Sequence, residues 1–202
     1  MIKRIALALS LFLLLPFTAY AQNNELGFFI STSQFDDSEI NEAGDVFDVE
    51  FDEDMGYGLS YNRYWFGGFS TEFAYQQLGA DLTVSFEDIA GDAGDLDLDI
   101  LSATAQLHFG RGSTFSPYIG GGVAYVSGEA GAIDEAELES VDLENEVEFL
   151  VNAGLDLNFG RSFGLFVDGK YVMYEARGEG DSEDDAIDIN PLIIAGGIKW
   201  RF

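Results

Sequence analysis

AIDINPLIIAGGIKWRF, spanning Ala186–Phe202, is the stretch of this sequence from which the fold can be predicted. Every second residue of its second half is apolar or glycine, and the row ends in two aromatics: Leu192, Ile194, Gly196, Ile198, Trp200 and Phe202. The intervening residues are small in the middle and cationic at the end: Ile193, Ala195, Gly197, Lys199 and Arg201. Successive side chains of a β-strand point to opposite faces. The pattern therefore predicts a strand with lipid on one side, a polar lumen on the other and aromatics at the membrane interface.

The amino-terminal residues have the features of a secretory signal peptide. Lys3 and Arg4 precede the apolar run Ile5–Phe17, and Ala19-Tyr20-Ala21 is a small-x-small site, so we expect cleavage after Ala21. The alternative, an uncleaved membrane anchor, is disfavoured because the apolar run is too short for a stable spanning helix. The chain has no cysteine, which excludes a lipoprotein anchor after cleavage and a disulfide framework. Residues 22–202 are expected to form one domain.

The composition combines strong acidity with many aromatic residues. Loss of Lys3 and Arg4 changes the formal net charge from −28 to −30. Such acidity argues against nucleic acid and anionic surfaces as direct partners. However, 18 Phe and 9 Tyr are too many for a disordered chain. The charge must therefore be segregated along the sequence.

The whole mature chain repeats the design of its last strand. No apolar run after the signal is long enough for a spanning helix, so a membrane domain must be a β-barrel. The segments with alternating character are Glu25–Ser33, Asp54–Tyr64, Phe69–Phe86, Asp95–Phe109, Ser116–Ser127, Glu144–Phe159, Phe163–Ala176 and Ala186–Phe202. The predicted fold is all-β: an eight-stranded antiparallel transmembrane β-barrel.

The connectors between these segments are of two alternating kinds. Three are short, rich in glycine and aromatics, and contain one arginine each: Asn62–Gly68, Gly110–Phe115 and Gly160–Ser162. The others are long and acidic: Gln34–Glu53, the Glu87–Gly94 region, Gly128–Leu143 and Arg177–Asp185. Outer-membrane barrels have short periplasmic turns and long extracellular loops, which sets the predicted orientation.

Aromatic residues cluster beside the short turns. They are Trp65, Phe66, Phe109, Phe115, Phe159, Phe163, Trp200 and Phe202. This clustering is typical of a periplasmic aromatic girdle. A soluble lipocalin-like barrel, with its apolar face pointing inward, is the alternative, but it gives no reason for aromatics at one end.

The inner face near the periplasmic end is predicted to be polar. It contains Glu72, Gln106, His108, Asn152, Asp156, Asn158, Asp168, Lys170, Lys199 and Arg201. Because an unpaired buried charge is costly, we expect Lys170, Lys199 and Arg201 to pair with Glu72, Asp156 and Asp168. This plug would fill a lumen that is too narrow for a water-filled pore. The alternative is that the charges only stabilise the barrel.

Farther from the periplasm, the apolar residues change to the inner face. The predicted ligand-binding residues on this face are Leu78, Leu82, Val84, Leu96, Leu98, Ile100, Ile187, Ile189 and Ile193. They predict an apolar cavity on the extracellular side of the polar plug. A mainly apolar pocket with a few polar groups is the usual first hypothesis for a ligand site. The alternative is ordinary packing of side chains inside a barrel that protrudes from the membrane. The sixth segment, Glu144–Phe159, differs, because continuing the alternation of its side chains places Glu144, Glu146 and Glu148 on the inner face. Either a bulge shifts its register or these carboxylates surround the mouth.

The remaining groups of polar residues and glycines give little indication of a metal site or a catalytic site. The acidic runs Asp36-Asp37, Asp52-Glu53-Asp54 and Glu183-Asp184-Asp185 lack EF-hand spacing, so a solvated anionic surface is expected instead of a specific metal site. His108 is the only histidine and lies beside a periplasmic turn, which disfavours a hydrolase triad. Gly120-Gly121-Gly122 lies inside a strand, where it would allow close approach. We predict no enzyme, cofactor or metal site.

Four stretches resemble the strands of OmpW-type outer-membrane proteins. They are NRYWFGGFSTEFAY (Asn62–Tyr75), SPYIGGGVAY (Ser116–Tyr125), GLDLNFGRSFGLFVDGKYVMYEA (Gly154–Ala176) and DINPLIIAGGIKWRF (Asp188–Phe202). OmpX-like barrels and OmpA membrane domains share some of these features. The resemblance implies an eight-stranded barrel of the Gram-negative outer membrane, with a hydrophobic channel implicated in passage of small hydrophobic compounds.

The expected partners follow from this class of protein. They are outer-membrane lipid, lipopolysaccharide bridged by divalent cations, small hydrophobic molecules, and the barrel assembly machinery acting on the C-terminal strand. A non-transporting structural or adhesion barrel, acting through its acidic loops, is the alternative function.

Overall fold

The computed structural model describes residues 23–34, 38–42, 45–53, 55–86, 89–132, 139–142, 145–176, 187–188 and 190–202. The predicted signal peptide and its cleavage site lie outside these residues. The described strands are β1 (Asn24–Gln34), β2 (Ser38–Glu42), β3 (Asp45–Glu53), β4 (Met55–Phe66), β5 (Phe69–Phe86), β6 (Ile89–His108), β7 (Phe115–Ala132), β8 (Glu139–Asp142), β9 (Glu146–Phe159), β10 (Phe163–Val172), β11 (Glu175–Ala176), β12 (Ile187–Asp188) and β13 (Leu192–Arg201). In these described ranges no helix is long and apolar enough to cross a membrane.

Eight of these strands form a closed antiparallel ring. Its order is β1-β4-β5-β6-β7-β9-β10-β13. The ring closes where the first strand pairs with the last, from Glu25 opposite Arg201 to Gln34 opposite Leu192. The predicted eight-stranded transmembrane barrel is confirmed, and the eight segments read from the sequence correspond to these strands.

The barrel continues beyond the membrane as strands. β3 pairs with the distal half of β5, β2 pairs with β3, and β8 pairs with β7. β5 and β6 remain paired as far as Phe86 opposite Ile89. Parts of the segments predicted as loops, Gln34–Glu53 and Glu87–Gly94, are therefore strands. DVFDVEFDE in β3 shows why: it keeps a period of two, with an acid at most alternate positions.

Glycine makes the short turns possible. Four glycines with positive φ lie in them: Gly67 (54°), Gly110 (76°), Gly112 (89°) and Gly160 (71°). Residues with a Cβ rarely adopt this left-handed conformation. Inside β7, a Cβ on Gly120 would overlap the Asn152 side chain, and one on Gly122 would overlap the Ala103 carbonyl oxygen. The predicted role of this glycine run in close approach is confirmed at Gly120 and Gly122.

The outer surface is apolar, with aromatics at the periplasmic end. Outward residues such as Phe28, Ile194 and Ile198 are exposed, as are most girdle residues, including Trp65, Phe66, Phe109, Phe115, Phe159, Phe163 and Trp200. Neighbouring girdle rings contact one another, with centroids 5.2 Å apart for Phe66–Phe69 and 5.3 Å apart for Trp200–Phe202. Large exposed apolar rows of this kind match a hydrocarbon environment.

Closure of the ring can be tested in a chain that has no native cysteine. Phe28 and Ile198 are directly opposite on the outer surface. In the Phe28→Cys/Ile198→Cys variant, oxidation should link the two cysteines because opposite Cβ atoms in antiparallel strands are about 5 Å apart. Mass spectrometry of the digested barrel would identify the linked peptides. The matched control is Phe28→Cys/Ile194→Cys, because Ile194 faces Thr32. Equal linkage of both pairs would contradict this closure.

Candidate functional site

The inner face of the barrel is divided into two zones. We call the ionic zone at the periplasmic end the polar plug: Glu25, Glu72, His108, Asp156, Asp168, Lys170, Lys199 and Arg201. We call the zone on its extracellular side the apolar layer: Leu78, Leu98, Ile100, Val126, Leu150, Val172 and Ile193. The plug has four carboxyl side chains, two lysines and one arginine, with the single histidine beside one carboxyl group.

Lys170 is at the centre of the part of the plug that adjoins the apolar layer. Its Nζ lies 2.6 Å from Asp168 Oδ1 and 3.4 Å from Glu72 Oε1. The Tyr118 hydroxyl donates to Asp168 Oδ2 at 2.9 Å, and Asn152 Nδ2 donates to the same oxygen at 3.1 Å. Buried charges are tolerated when ion pairs and hydrogen bonds satisfy them together. Lys170 and Asp168 therefore stabilise each other only as part of this set.

Lys199 is at the centre of the part nearer the periplasm. Its Nζ lies 2.6 Å from Asp156 Oδ2 and 3.1 Å from Glu25 Oε2. His108 Nδ1 lies 3.2 Å from Asp156 Oδ2. Arg201 Nε donates to Glu25 Oε1 at 2.7 Å, and its Nη2 contacts the same oxygen. Asp156 and Glu25 thus join two cations and the histidine into one network.

The sequence prediction missed Glu25 and misassigned the partner of Arg201. Arg201 pairs with Glu25, and no contact joins it to Glu72, Asp156 or Asp168 among the described side chains. The signal was present, because Glu25 alternates with the outward Leu26 and so lies on the inner face. Tyr118 was missed for a different reason: tyrosine is common on either face of a barrel strand.

Aromatic rings lie between the two parts of the plug. Phe29 and Phe166 make an edge-to-face contact with centroids 6.0 Å apart, and Lys170 Nζ lies 5.6 Å from the Phe29 centroid. The void beside them, lined in part by Glu72 and Lys199, measures about 20 Å³. That volume holds about one water, so in the described part of the lumen this void is too small to be a passage.

Arg111 covers the periplasmic end of the lumen. Its guanidinium lies 4.0 Å from the centroid of the Tyr64 ring, a cation–π contact. Nη2 donates to Asn23 Oδ1 at 2.8 Å, and Nη1 donates to the Gly67 carbonyl at 3.3 Å. One side chain from the β6–β7 turn therefore contacts the β4–β5 turn and the residue that precedes β1.

The apolar layer brings together four of the predicted ligand-binding residues. Leu78, Leu98, Ile100 and Ile193 are between 1% and 3% exposed, although they come from three strands. The side chains of the remaining five, Leu82, Val84, Leu96, Ile187 and Ile189, lie outside the described part of the structure. Exposure this low leaves no water-sized space beside the four side chains. Among the described residues the layer is closed around these four side chains. The apolar cavity that the sequence predicts, with ordinary packing as its alternative, stays a prediction.

β9 keeps a regular register at its extracellular end. Glu146 lies opposite Val126 and Glu148 opposite Ala124, with no bulge between β7 and β9. Both glutamates share the inner face with Leu150 and are partly buried. Of the two explanations for this strand, the carboxylates at the lumen mouth fit and the shifted register is wrong. Glu144 lies outside the described residues.

Comparison with known proteins now identifies the family. The family model for the OmpW family matches residues 31–202. The chain belongs to the OmpW family. An uncharacterized outer-membrane protein, y4mB of Sinorhizobium fredii, is 27% identical over 104 residues, which cover 49% of this chain and 45% of that protein. The family and the closed barrel place this OmpW-family protein in the outer membrane.

Solved structures show the same fold. The outer membrane protein OprG of Pseudomonas aeruginosa matches with a TM-score of 0.71 and 17% identity, covering 90% of this chain and 96% of that one. AlkL matches with a TM-score of 0.66 and 20% identity, covering 92% of each chain. OmpW of E. coli matches with a TM-score of 0.53 and 18% identity, covering 92% of this chain and 100% of that one. At such identities the likeness concerns the fold alone.

The polar plug of this OmpW-family barrel can be tested through Lys170. In Lys170→Met, Glu72 and Asp168 lose their cation, so we expect a loss of about 3–5 kcal/mol in the free energy of unfolding. Denaturant titration followed by heat-modifiable gel mobility would measure it. The matched control, Arg161→Met, changes an exposed turn cation and should cost less than about 0.5 kcal/mol. Equal stability of Lys170→Met and the parent would refute the plug.

Proposed function

We propose that this protein binds small hydrophobic molecules in the extracellular half of its lumen and transfers them laterally into the outer membrane. The observation that carries the proposal is the reversal of lumen polarity along single strands. On β6 the inner face changes from Leu98 and Ile100 to Gln106 and His108, all four of them buried. A hydrophobic molecule can bind in the apolar zone, and the polar zone on its periplasmic side keeps the molecule from moving farther.

The plug bars passage straight through to the periplasm. Lys170, which is opposite Ile193 on β13, adjoins the apolar layer, and its Nζ contacts Asp168 and Glu72 inside the lumen. Apolar molecules form no favourable interactions with an ionic network, and the void of about 20 Å³ inside it is too small for them. The mechanism therefore consists of partition into the apolar layer, arrest at the plug and exit between strands. Because the layer is closed here, binding requires its side chains to move apart.

The seam between β10 and β13 is the best supported exit. Its regular ladder ends at Tyr171 opposite Leu192. Beyond that point Asn190 has a positive φ of 36°, and Pro191 has no N–H to donate. The Asn190 side chain instead accepts from the Tyr174 N–H at 3.0 Å. Two backbone bonds still cross this end, from the Val172 N–H to the Pro191 carbonyl oxygen at 3.1 Å and from the Asn190 N–H to the Tyr174 carbonyl oxygen at 3.0 Å. Because a side-chain bond replaces a ladder bond here, the irregular end of the seam is easier to separate than a regular one.

The wider partners are part of the same proposal. Acidic residues on the extracellular strands would contact lipopolysaccharide through divalent cations, and the C-terminal strand would be the segment that the barrel assembly machinery engages. The acidic runs Asp36-Asp37 and Glu183–Asp185 lie outside the described residues.

An adhesion or structural role is the second candidate, and the acidic extracellular strands favour it. Asp52, Asp81 and Asp95 are opposite one another across β3, β5 and β6. Like charges in directly opposite positions are destabilising, so a partner that neutralises them is expected. Exchange of the extracellular segments would abolish this function and leave lumen binding intact.

Binding in the apolar layer can be measured with the fluorescent probe N-phenyl-1-naphthylamine in detergent micelles. Leu98→Asp places a charge among apolar side chains, so probe affinity should fall at least tenfold. Val147→Asp is the matched control: Val147 points outward near the same end of the barrel and is exposed, so affinity should be unchanged. Both variants must first show the heat-modifiable mobility of folded barrels. Equal affinity in parent and Leu98→Asp would overturn lumen binding.

Lateral exit can be measured by locking the seam. In Tyr171→Cys/Leu192→Cys, oxidation should slow transfer of the probe into proteoliposomes at least fivefold while binding in detergent is kept, and reduction should restore transfer. The Phe28→Cys/Ile198→Cys pair, which locks the β1–β13 seam, is the matched control and should transfer at the rate of the parent. Saturable uptake of a hydrophilic solute by the parent would contradict the whole proposal.

A further inference from the structure

Two buried hydroxyls in and beside the apolar layer lack hydrogen-bond partners. They are the Ser33 hydroxyl on β1 and the Tyr174 hydroxyl just past the end of β10; both residues are 0% exposed, and neither oxygen has a partner among the described residues. Leaving a buried polar group unpaired costs about 1–3 kcal/mol. By contrast, the Ser31 hydroxyl, two residues before Ser33 on β1, has a hydrogen-bond partner. Gln76 Nε2 donates to Ser31 Oγ at 3.0 Å.

The two hydroxyls lie on opposite sides of one strand. Ser33 is opposite Ile193 on β13. On the other side of that strand, Tyr174 accepts through its carbonyl from the Asn190 N–H at 3.0 Å. Ser33 and Tyr174 therefore flank the extracellular end of β13, at the seam proposed as the exit.

Negative charge adjoins this site. Tyr174 lies two residues past Val172, the last residue of β10, and Glu146 and Glu148 occupy inner-face positions on β9, the strand beside β10. Burial and these two carboxylates raise the pKa of the Tyr174 hydroxyl to about 12. At neutral pH the hydroxyl is therefore an uncharged donor and acceptor.

We infer that Tyr174 and Ser33 select the head group of the hydrophobic molecule, so that the ligands are neutral amphiphiles such as medium-chain alcohols and ketones. Their oxygen would accept the Tyr174 proton, while the chain lies against Leu98, Leu78 and Ile193. This inference rests on the proposed function and narrows its substrate class.

Two competing classes of ligand are disfavoured for different reasons. An alkane fills the apolar layer but leaves both hydroxyls unpaired, and sites built to hydrogen-bond a ligand discriminate against analogues that lack the polar group. A fatty carboxylate could accept from Tyr174, but its charge would lie near the carboxylates of Glu146 and Glu148 and would lose hydration beside the buried Tyr174. The expected order of affinity is alcohol or ketone, then alkane, then carboxylate.

This order can be tested by displacing N-phenyl-1-naphthylamine from the full chain in micelles at pH 8. The competing ligands are decane, 1-decanol, 2-decanone and decanoate. In Tyr174→Phe, the preference for decanol over decane should fall roughly five- to tenfold. Tyr125→Phe is the matched control, because Tyr125 is exposed on the outer face of β7, and its preference should equal that of the parent. In Glu146→Gln/Glu148→Gln, decanoate should bind roughly tenfold more tightly. Comparing each ratio between variants cancels the partition of the ligands into the micelle, because that partition is the same for every variant.

The outcomes separate this inference from the function on which it rests. If all four decyl compounds displace the probe equally, and Tyr174→Phe leaves the ratios unchanged, head-group selection is overturned while lumen binding stands. If no decyl compound displaces the probe from the parent, the proposed function fails and the inference fails with it. Loss of heat-modifiable mobility in Tyr174→Phe would show that the hydroxyl is structural, which also overturns the inference.

Discussion

Backbone hydrogen bonding in hydrocarbon is the constraint on which the rest of this structure depends. A strand edge facing lipid cannot be satisfied by water, so every N–H and C=O within the membrane must pair inside the protein. The pairing of β1 with β13 removes the last open edge. Closure with eight strands also sets the width of the lumen, which leaves room for side chains and little else. All inward residues must therefore be packed or paired with one another.

The narrow lumen explains the placement of charge. Seven of the nine Lys and Arg residues follow the predicted signal peptide, and Lys170, Lys199 and Arg201 are among them. Each of these three contacts carboxylates inside the barrel. Inner-face carboxylates elsewhere must lie where solvent can reach them, and Glu146 and Glu148, at the extracellular end of the lumen, are only partly buried. The polar plug and the acidic extracellular strands are two consequences of one rule, that a charge must be paired or hydrated.

The reversal of polarity along a strand marks where the surroundings of the barrel change. Within the membrane the outer face of β6 is apolar, as at Leu107, whereas Asp97 farther along the same face is exposed. Tyr75 lies near the transition, where its hydroxyl donates to Asp99 Oδ1 at 2.7 Å. Outside the membrane the barrel has water on its outer surface, so the only dry surface left is the lumen. The apolar residues therefore face outward within the membrane and inward beyond it. The apolar layer results from this change, and so does its suitability for hydrophobic molecules.

The sequence by itself determined the number of strands, their orientation and which face of each is inward, because alternation with period two is a local property of the chain. The inward position of Leu98 and the outward position of Ile198 can both be read this way. The tertiary structure alone decided which inward residues meet, because strand stagger brings together residues far apart in sequence. Glu25 contacts Lys199 and Arg201, separated from it by 174 and 176 positions, and no local pattern specifies that contact. It also decided that Leu98 and Ile193, from two strands that do not pair, are both buried, since burial depends on the volumes of side chains from several strands together.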